Sequence, residues 1–233
     1  MTELTHVWRP GDRVARVKES HSYGLVLLLI LTSFVFMSVA PQSDWADSVL
    51  IVLQAGTLVM ALWTSGLAGV VSGTSLASVA LAVVAAIVFA IAGGGPLRGA
   101  VGILSGVIVI ATIVTIAIGV VDQGEANLQS VIGAICIYLL AGFLFFFLYG
   151  AIAALGAEPL FNGGSDGTRP IRLYFSFVTL ATLGYGDFTP GTNLGRMIAV
   201  FEALMGQLYL VTVIAVLVSR IRGRRAVERA GDV

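Results

Sequence analysis

Charged side chains are scarce in this chain. Asp, Glu, Lys and Arg make up 11% of its 233 residues, where a soluble domain carries about 25%. Together with 58% hydrophobic residues and a mean hydropathy of +0.98, that scarcity excludes a soluble globular protein and points to a membrane-embedded one. Cysteine is nearly missing. The single Cys136 has no partner for an internal disulfide, and a lone cysteine in an apolar run reads as packing rather than chemistry. The two histidines, His6 and His21, both fall in the N-terminal tail and read as solvated side chains, not metal ligands. No stretch is left for a soluble domain of useful size, because the tails 1–22 and 220–233 are too short for a ligand-sensing fold. No nucleotide-binding, nucleic-acid-binding or catalytic motif is present, so neither an enzyme nor a cofactor is expected.

What is there is apolar. A spanning helix needs about 20 mostly apolar residues, and runs at 24–40, 48–71, 74–93, 99–121, 130–156 and 195–219 predict six. The fold class is therefore an all-α membrane protein. The first run reads as a retained helix rather than a cleaved signal, since a long tail of mixed charge precedes it and Pro41 follows the small-residue site at Ala40. Four basic residues lie in the N-terminal tail (Arg9, Arg13, Arg16, Lys18) and five in the C-terminal tail (Arg220, Arg222, Arg224, Arg225, Arg229). Positive flanks stay inside, so both termini are expected in the cytoplasm of a plasma-membrane protein. The connection 41–47, with Asp44 and Asp47 and no basic residue, suits the outside. The link 122–129 carries Asp122 and Glu125, which weigh little in this rule.

The chain divides into unequal parts: a tail 1–22, a four-helix unit 23–121, a linker 122–129, a second membrane unit 130–219 and a basic tail 220–233. In the first unit Gly93-Gly94-Gly95-Pro96 is loop chemistry. Gly102, Ser105, Gly106, Thr112 and Thr115 are small enough for close helix approach in lipid. The second unit runs helix, polar loop, short amphipathic stretch, glycine-rich segment, helix. The loop holds Asn162-Gly163-Gly164-Ser165-Asp166-Gly167, which is turn chemistry. Pro170 suits the first turn of a new helix. A helix from Pro170 to about Ala181 is about 18 Å long at 1.5 Å per residue, near half a bilayer, so it is expected to re-enter rather than cross.

Directly after it comes Thr182-Leu183-Gly184-Tyr185-Gly186-Asp187. This stretch resembles the selectivity filter of tetrameric potassium channels, usually worded Thr-Val-Gly-Tyr-Gly-Asp. The likeness extends over about 165–220, with Pro190 and Gly195-Arg196 opening the last helix. It implies a homotetramer in which four loops turn backbone carbonyls inward to replace the hydration shell of K+. By that resemblance the carbonyls of Thr182, Leu183, Gly184 and Tyr185 coordinate K+, and Gly184 and Gly186 allow backbone conformations closed to residues with a Cβ. Tyr185 is expected to point away from the axis against the pore-helix aromatics Tyr174 and Phe175. Asp187 reads either as an outer ring that concentrates cations or as a brace of the loop. Some members of the family pair this Asp with a pore-helix Glu, but Val178 stands at that position.

Glu202, inside the last apolar run, is the substitute candidate, because an ionisable residue within a span marks function by default. It is expected to hydrogen-bond the pore helix or the back of the filter, including in protonated form, or else to sit shallow enough to reach outer water. Gly206 reads as a hinge or as a close-packing point. Helical spacing puts Gln207, Val211, Ile214 and Val218 on one stripe facing the pore. Arg220, Arg222, Arg224 and Arg225 read as contacts with anionic lipid, either anchoring or gating. Six helices with the filter before the last resemble the voltage-gated superfamily, yet 99–121 lacks the repeated basic residues whose movement supplies about 2.3 kcal/mol per charge per 100 mV. A potassium-selective channel that is not conventionally voltage-gated is the reading that results. A weakly selective cation channel, a secondary transporter and a non-conducting scaffold are the alternatives.

Overall fold

The computed structural model describes residues 22–65, 95–122 and 128–231, and every regular element among them is helical. The helices are α1 (Ser22–Val39), α2 (Asp44–Thr64), α3 (Gly95–Asp122), α4 (Leu128–Leu155), α5 (Arg169–Leu180) and α6 (Asn193–Gly231). Four of them, α2, α3, α4 and the first half of α6, contain stretches long and apolar enough to cross a membrane, and Tyr23–Val39 is a shorter apolar helix. The protein is thus an all-α, multi-pass membrane protein. The expected span 74–93 lies outside the described residues, as do the N-terminal tail and most of the 122–129 link. α6 continues past the expected boundary at 219 as one helix to Gly231.

Local chemistry sets the helix ends. Pro41 restricts the residue before it to extended backbone, and α1 stops at Val39. α2 starts after Ser43, whose carbonyl accepts the N–H groups of Ala46 and Asp47. Gly156 follows α4, where an added Cβ would lie 2.6 Å from the Ile152 carbonyl oxygen. α5 begins after Thr168 with Pro170 in its first turn, a place where a missing N–H costs nothing.

α4 is the central post. α3 lies along it through small residues: an added Cβ on Gly102 would sit 3.7 Å from the Phe147 carbonyl oxygen, and one on Gly106 would sit 3.8 Å from a Leu144 methyl. Without a hydrophobic drive between helices in lipid, such close packing supplies the attraction. Thr112 and Thr115 instead donate to the Ile108 and Ala111 carbonyls of their own helix, both at 2.8 Å. That satisfies hydroxyls which hydrocarbon cannot solvate. α1 packs on both α4 and α5, with Phe34 5.1 Å from Phe177 and 6.4 Å from Phe143 between ring centroids. An added Cβ on Gly142 would meet the Phe177 ring at 2.6 Å, so the short helix is seated directly on α4. At its N-terminus the buried Arg169 pairs with Asp47 and donates to the Pro41 carbonyl, tying α5 to the α1–α2 connection.

Candidate functional site

The site is the turn from α5 into α6 and the side chains behind it. α5 has 12 residues, about 18 Å of rise, and the chain leaves it without starting another helix. Ala181 N–H bonds the Phe177 carbonyl, Thr182 N–H that of Thr179, and Leu183 N–H that of Val178, all within 3.0 Å. Beyond that the backbone alternates. φ is +57° at Thr182, +54° at Gly184 and +79° at Gly186, while Leu183 and Tyr185 between them keep negative φ. Two of the three left-handed positions are glycines, which adopt that conformation without a Cβ clash. The third is a β-branched threonine, the one non-glycine residue with positive φ among the described residues. Strain of this kind persists where the surroundings enforce it.

The side chains of 181–187 are exposed on the single chain, Tyr185 at 67%. Tyr185 is turned back onto Tyr174, the rings stacked at 6.3 Å and 5°. Tyr174 in turn donates to Asp187 Oδ2 at 2.8 Å, and Asp187 Oδ1 accepts the Phe188 N–H at 3.1 Å. That hydrogen bond to the carboxylate raises the Tyr174 pKa above the ordinary phenol value, so the bond is kept until pH rises past the raised value. Of the two aromatics expected behind Tyr185, only Tyr174 is there. Phe175 is buried on another face, against Tyr149 at 5.0 Å and Phe161 at 5.1 Å. Consecutive residues on a helix point about 100° apart, so one of the pair had to turn away. Replacing Tyr174 by Phe keeps the stack and removes the bond to Asp187. A small fall in stability, on the scale of one exposed hydrogen bond, is expected from its thermal melt.

Glu202 is fully buried. Its Oε1 lies 2.6 Å from the Ser176 hydroxyl on α5, and its Oε2 accepts from the Tyr149 hydroxyl on α4 at 2.6 Å. Ser176 Oγ is also 2.7 Å from the Gly142 carbonyl oxygen. One carboxyl group therefore joins α4, α5 and α6 behind the 182–187 turn, out of contact with solvent. Sequence reasoning found Glu202 but neither Ser176 nor Tyr149. Their only signal was a polar atom inside an apolar stretch, which has to find a partner.

Gly206 packs on the last carbonyl of α5. A Cβ there would collide with the Leu180 oxygen and lie 2.9 Å from Leu180 Cδ1. Tyr138 donates to the same oxygen at 3.4 Å. α6 runs unbroken through the glycine, so the geometry favours the packing reading over the hinge. Gln207 and Val211 are exposed, on a face shared with Leu194, Met197, Phe201, Leu204 and Leu208. The side chains of Ile214, Val218, Arg220, Arg222, Arg224 and Arg225 lie outside the described residues. The loop before α5 clips onto the segment after the 182–187 turn, with Asn162 N–H on the Thr189 carbonyl at 2.9 Å and Gly191 N–H on the Leu160 carbonyl at 2.7 Å. Among the described residues no group of three or more His, Cys, Asp or Glu side chains comes together to hold a metal.

Residues 133–223 match a family described as ion channel. Shorter stretches resemble curated potassium-channel proteins. The chain is 50% identical over 46 residues to "Probable potassium channel protein 2" of Methanocaldococcus jannaschii, covering 18% of this chain and 13% of that one. It is 36% identical over 73 residues to "Two pore potassium channel c" of Oryza sativa subsp. japonica, 29% and 16% of the two chains. It is 35% identical over 83 residues to the potassium voltage-gated channel protein Shal of Drosophila melanogaster, 34% and 14%. The matched stretches span less than a fifth of the length of these relatives. No solved structure matches the chain. The protein is thus a multi-pass membrane protein whose C-terminal part is similar to an ion-channel family and to stretches of potassium-channel proteins. The family matched is one of transport, not of catalysis.

Proposed function

We propose that the protein is a potassium-selective channel built from four identical six-span subunits, each contributing one filter. The alternation of left-handed backbone at residues 182, 184 and 186 carries this reading. In an ordinary extended chain successive carbonyls point to opposite sides, whereas alternating handedness turns them to the same side. The carbonyls of Thr182, Leu183, Gly184 and Tyr185 would then form a ladder that replaces the water around K+. The stacking of Tyr185 on Tyr174 supports it by keeping the ring off that ladder. α5 ends at the filter, and the partly negative C-terminus of a helix favours a cation there.

A fourfold assembly is supported by α6. Leu194, Met197, Phe201, Leu204, Leu208 and Val211 are exposed at spacings of three and four, an apolar stripe of the kind that packs on neighbouring helices. Non-helical backbone at membrane depth also needs protein or water around it, which four loops around an axis provide. Conventional voltage gating is not part of the proposal, because α3 has charge only near its two ends, at Arg98 and Asp122. The basic C-terminal tail, with Arg220, Arg222, Arg224 and Arg225, would lie at the cytoplasmic mouth of a plasma-membrane channel, in contact with anionic lipid.

Reconstitution into planar bilayers tests the reading. A tenfold K+ gradient should move the reversal potential by about 59 mV, with little response to Na+. Equal tracking of Na+ would make it a weakly selective cation channel, and no current from correctly assembled protein would return it to transporter or scaffold.

A further inference from the structure

Arg169 and Arg172 stand three residues apart, on one face of α5, and both line a cavity of about 450 Å3 against the α1–α2 connection, α3 and α4. The two are not equivalent. Arg169 is engaged with Asp47 and with the Pro41 carbonyl. Arg172 spends Nη1 on the carbonyls of Asp166 (3.1 Å) and Gly167 (2.6 Å), while its Nε is buried with no acceptor at all. Neither carboxylate on the cavity wall supplies one. Asp47 holds Arg169, and Asp166 Oδ1 accepts the Leu160 N–H at 2.9 Å. Burial, and then the Arg169 charge, lowers the Arg172 pKa. Guanidinium stays protonated all the same, so a cation sits beside another cation, with the Asp166 and Asp47 carboxylates offsetting only part of the cost. A partly buried charge in that position is costly until it is paired.

Gln42, Asp47 and Asp166 stand with the arginines on the polar side of the cavity, and Leu50, Val101, Phe146 and Phe147 form an apolar wall. It lies at the helix ends, near the start of α2 and α3 and the end of α4, which is the depth of lipid headgroups if these helices span the bilayer. A guanidinium fork at one side and an apolar wall at the other suit an anion that carries an acyl chain. Phosphate is the matching anion, because two parallel N–H donors meet two of its oxygens.

We propose that this cavity binds a phosphate group through the free edge of Arg172, and that the phosphate is the headgroup of a phospholipid whose chain follows the Phe146–Phe147 wall. The bound lipid would bridge the upstream helices to the pore helix, and its occupancy would add to the hold that Arg169 and Asp47 already provide. The proposal stands independently of ion selectivity.

The full-length protein in detergent is titrated with phosphatidylglycerol, phosphatidylcholine and inorganic phosphate, with binding read by native mass spectrometry. The background carries Arg220→Gln, Arg222→Gln, Arg224→Gln and Arg225→Gln, so that the basic tail does not contribute. Phosphatidylglycerol should bind with one site per subunit. Arg172→Gln should weaken it roughly tenfold or more, the loss of a charged hydrogen bond. Ala153→Trp, which fills the cavity and leaves the arginine bonds alone, should block it. Arg172→Lys, which keeps the charge but not the fork, should fall between. Should Arg172→Gln fail to assemble, the other two variants decide. Binding of inorganic phosphate alone, with the same sensitivity to these variants, would keep the site and assign it to a soluble anion. Lipid binding unchanged in Arg172→Lys and Ala153→Trp, with no variant-sensitive phosphate binding, overturns the proposal.

Discussion

Gly206→Val is expected to prevent assembly of a conducting protein, and Gly206→Ala to lower its melting temperature measurably. The reason is geometric. A single Cβ at 206 collides with the carbonyl oxygen of Leu180, and that oxygen is backbone at the end of α5, directly before the 182–187 turn. A flexible side chain could swing aside, but this atom can move only if α5 or α6 moves. Overpacking a well-fitted site costs about 1–3 kcal/mol, and valine against fixed backbone belongs at or above the upper end. Displacing α5 outward would also strain the Thr182 N–H to Thr179 and Leu183 N–H to Val178 bonds that start the filter. On the proposed function, conduction should therefore suffer along with stability. Size-exclusion profiles, thermal melts and K+ flux from reconstituted vesicles read the three effects. A Gly206→Ala protein that melts like the parent but opens less often would reverse the assignment and restore the hinge.

The sequence carried much of this arrangement because its strongest signals are local. Pro170 and the length of the amphipathic stretch set a short helix near 170–181, and the structure has Arg169–Leu180. The apolar runs located α1, α3 and α4 to within a few residues, since a span is fixed by composition alone. What stayed hidden depends on how helices are turned against one another. Nothing in one sequence says that α4 points Tyr149, and α5 points Ser176, at the same carboxyl on α6. Helical phase alone separates the two aromatics: Tyr174 and Phe175 are adjacent, so both could not back Tyr185. The Arg169–Asp47 pair joins residues 122 apart, with no motif to announce it. α6 runs on to Gly231, past the apolar run, because basic residues are good helix formers and do not stop a helix where it leaves the membrane.

Glu202 supplies the second large effect, and its two obvious substitutions should part company. Glu202→Ala is expected to destabilise by about 3–5 kcal/mol, because it opens a cavity and strands the buried Tyr149 hydroxyl, leaving Ser176 only its bond to the Gly142 carbonyl. Glu202→Gln should stay within about 1 kcal/mol of the parent. The difference follows from counting protons. Ser176 has one hydroxyl proton and two oxygen neighbours, the Gly142 carbonyl at 2.7 Å and Glu202 Oε1 at 2.6 Å. A carbonyl only accepts. If Glu202 were a carboxylate, one of these contacts would set oxygen lone pairs against each other with no hydrogen between. With a proton on Oε1 the chain closes: Glu202 donates to Ser176, Ser176 donates to the Gly142 carbonyl, and Tyr149 donates to Oε2. Glutamine repeats that pattern, its NH2 toward Ser176 and its oxygen toward Tyr149, and so should hold α4, α5 and α6 together as well as the acid does. It should also remove any loss of conduction at alkaline pH that comes from ionising this group. Infrared difference spectra of parent against Glu202→Gln should show a protonated carboxyl band only in the parent. A glutamine variant as unstable as the alanine one, with a carboxylate band in the parent, would mean that the three helices are held by a buried anion instead.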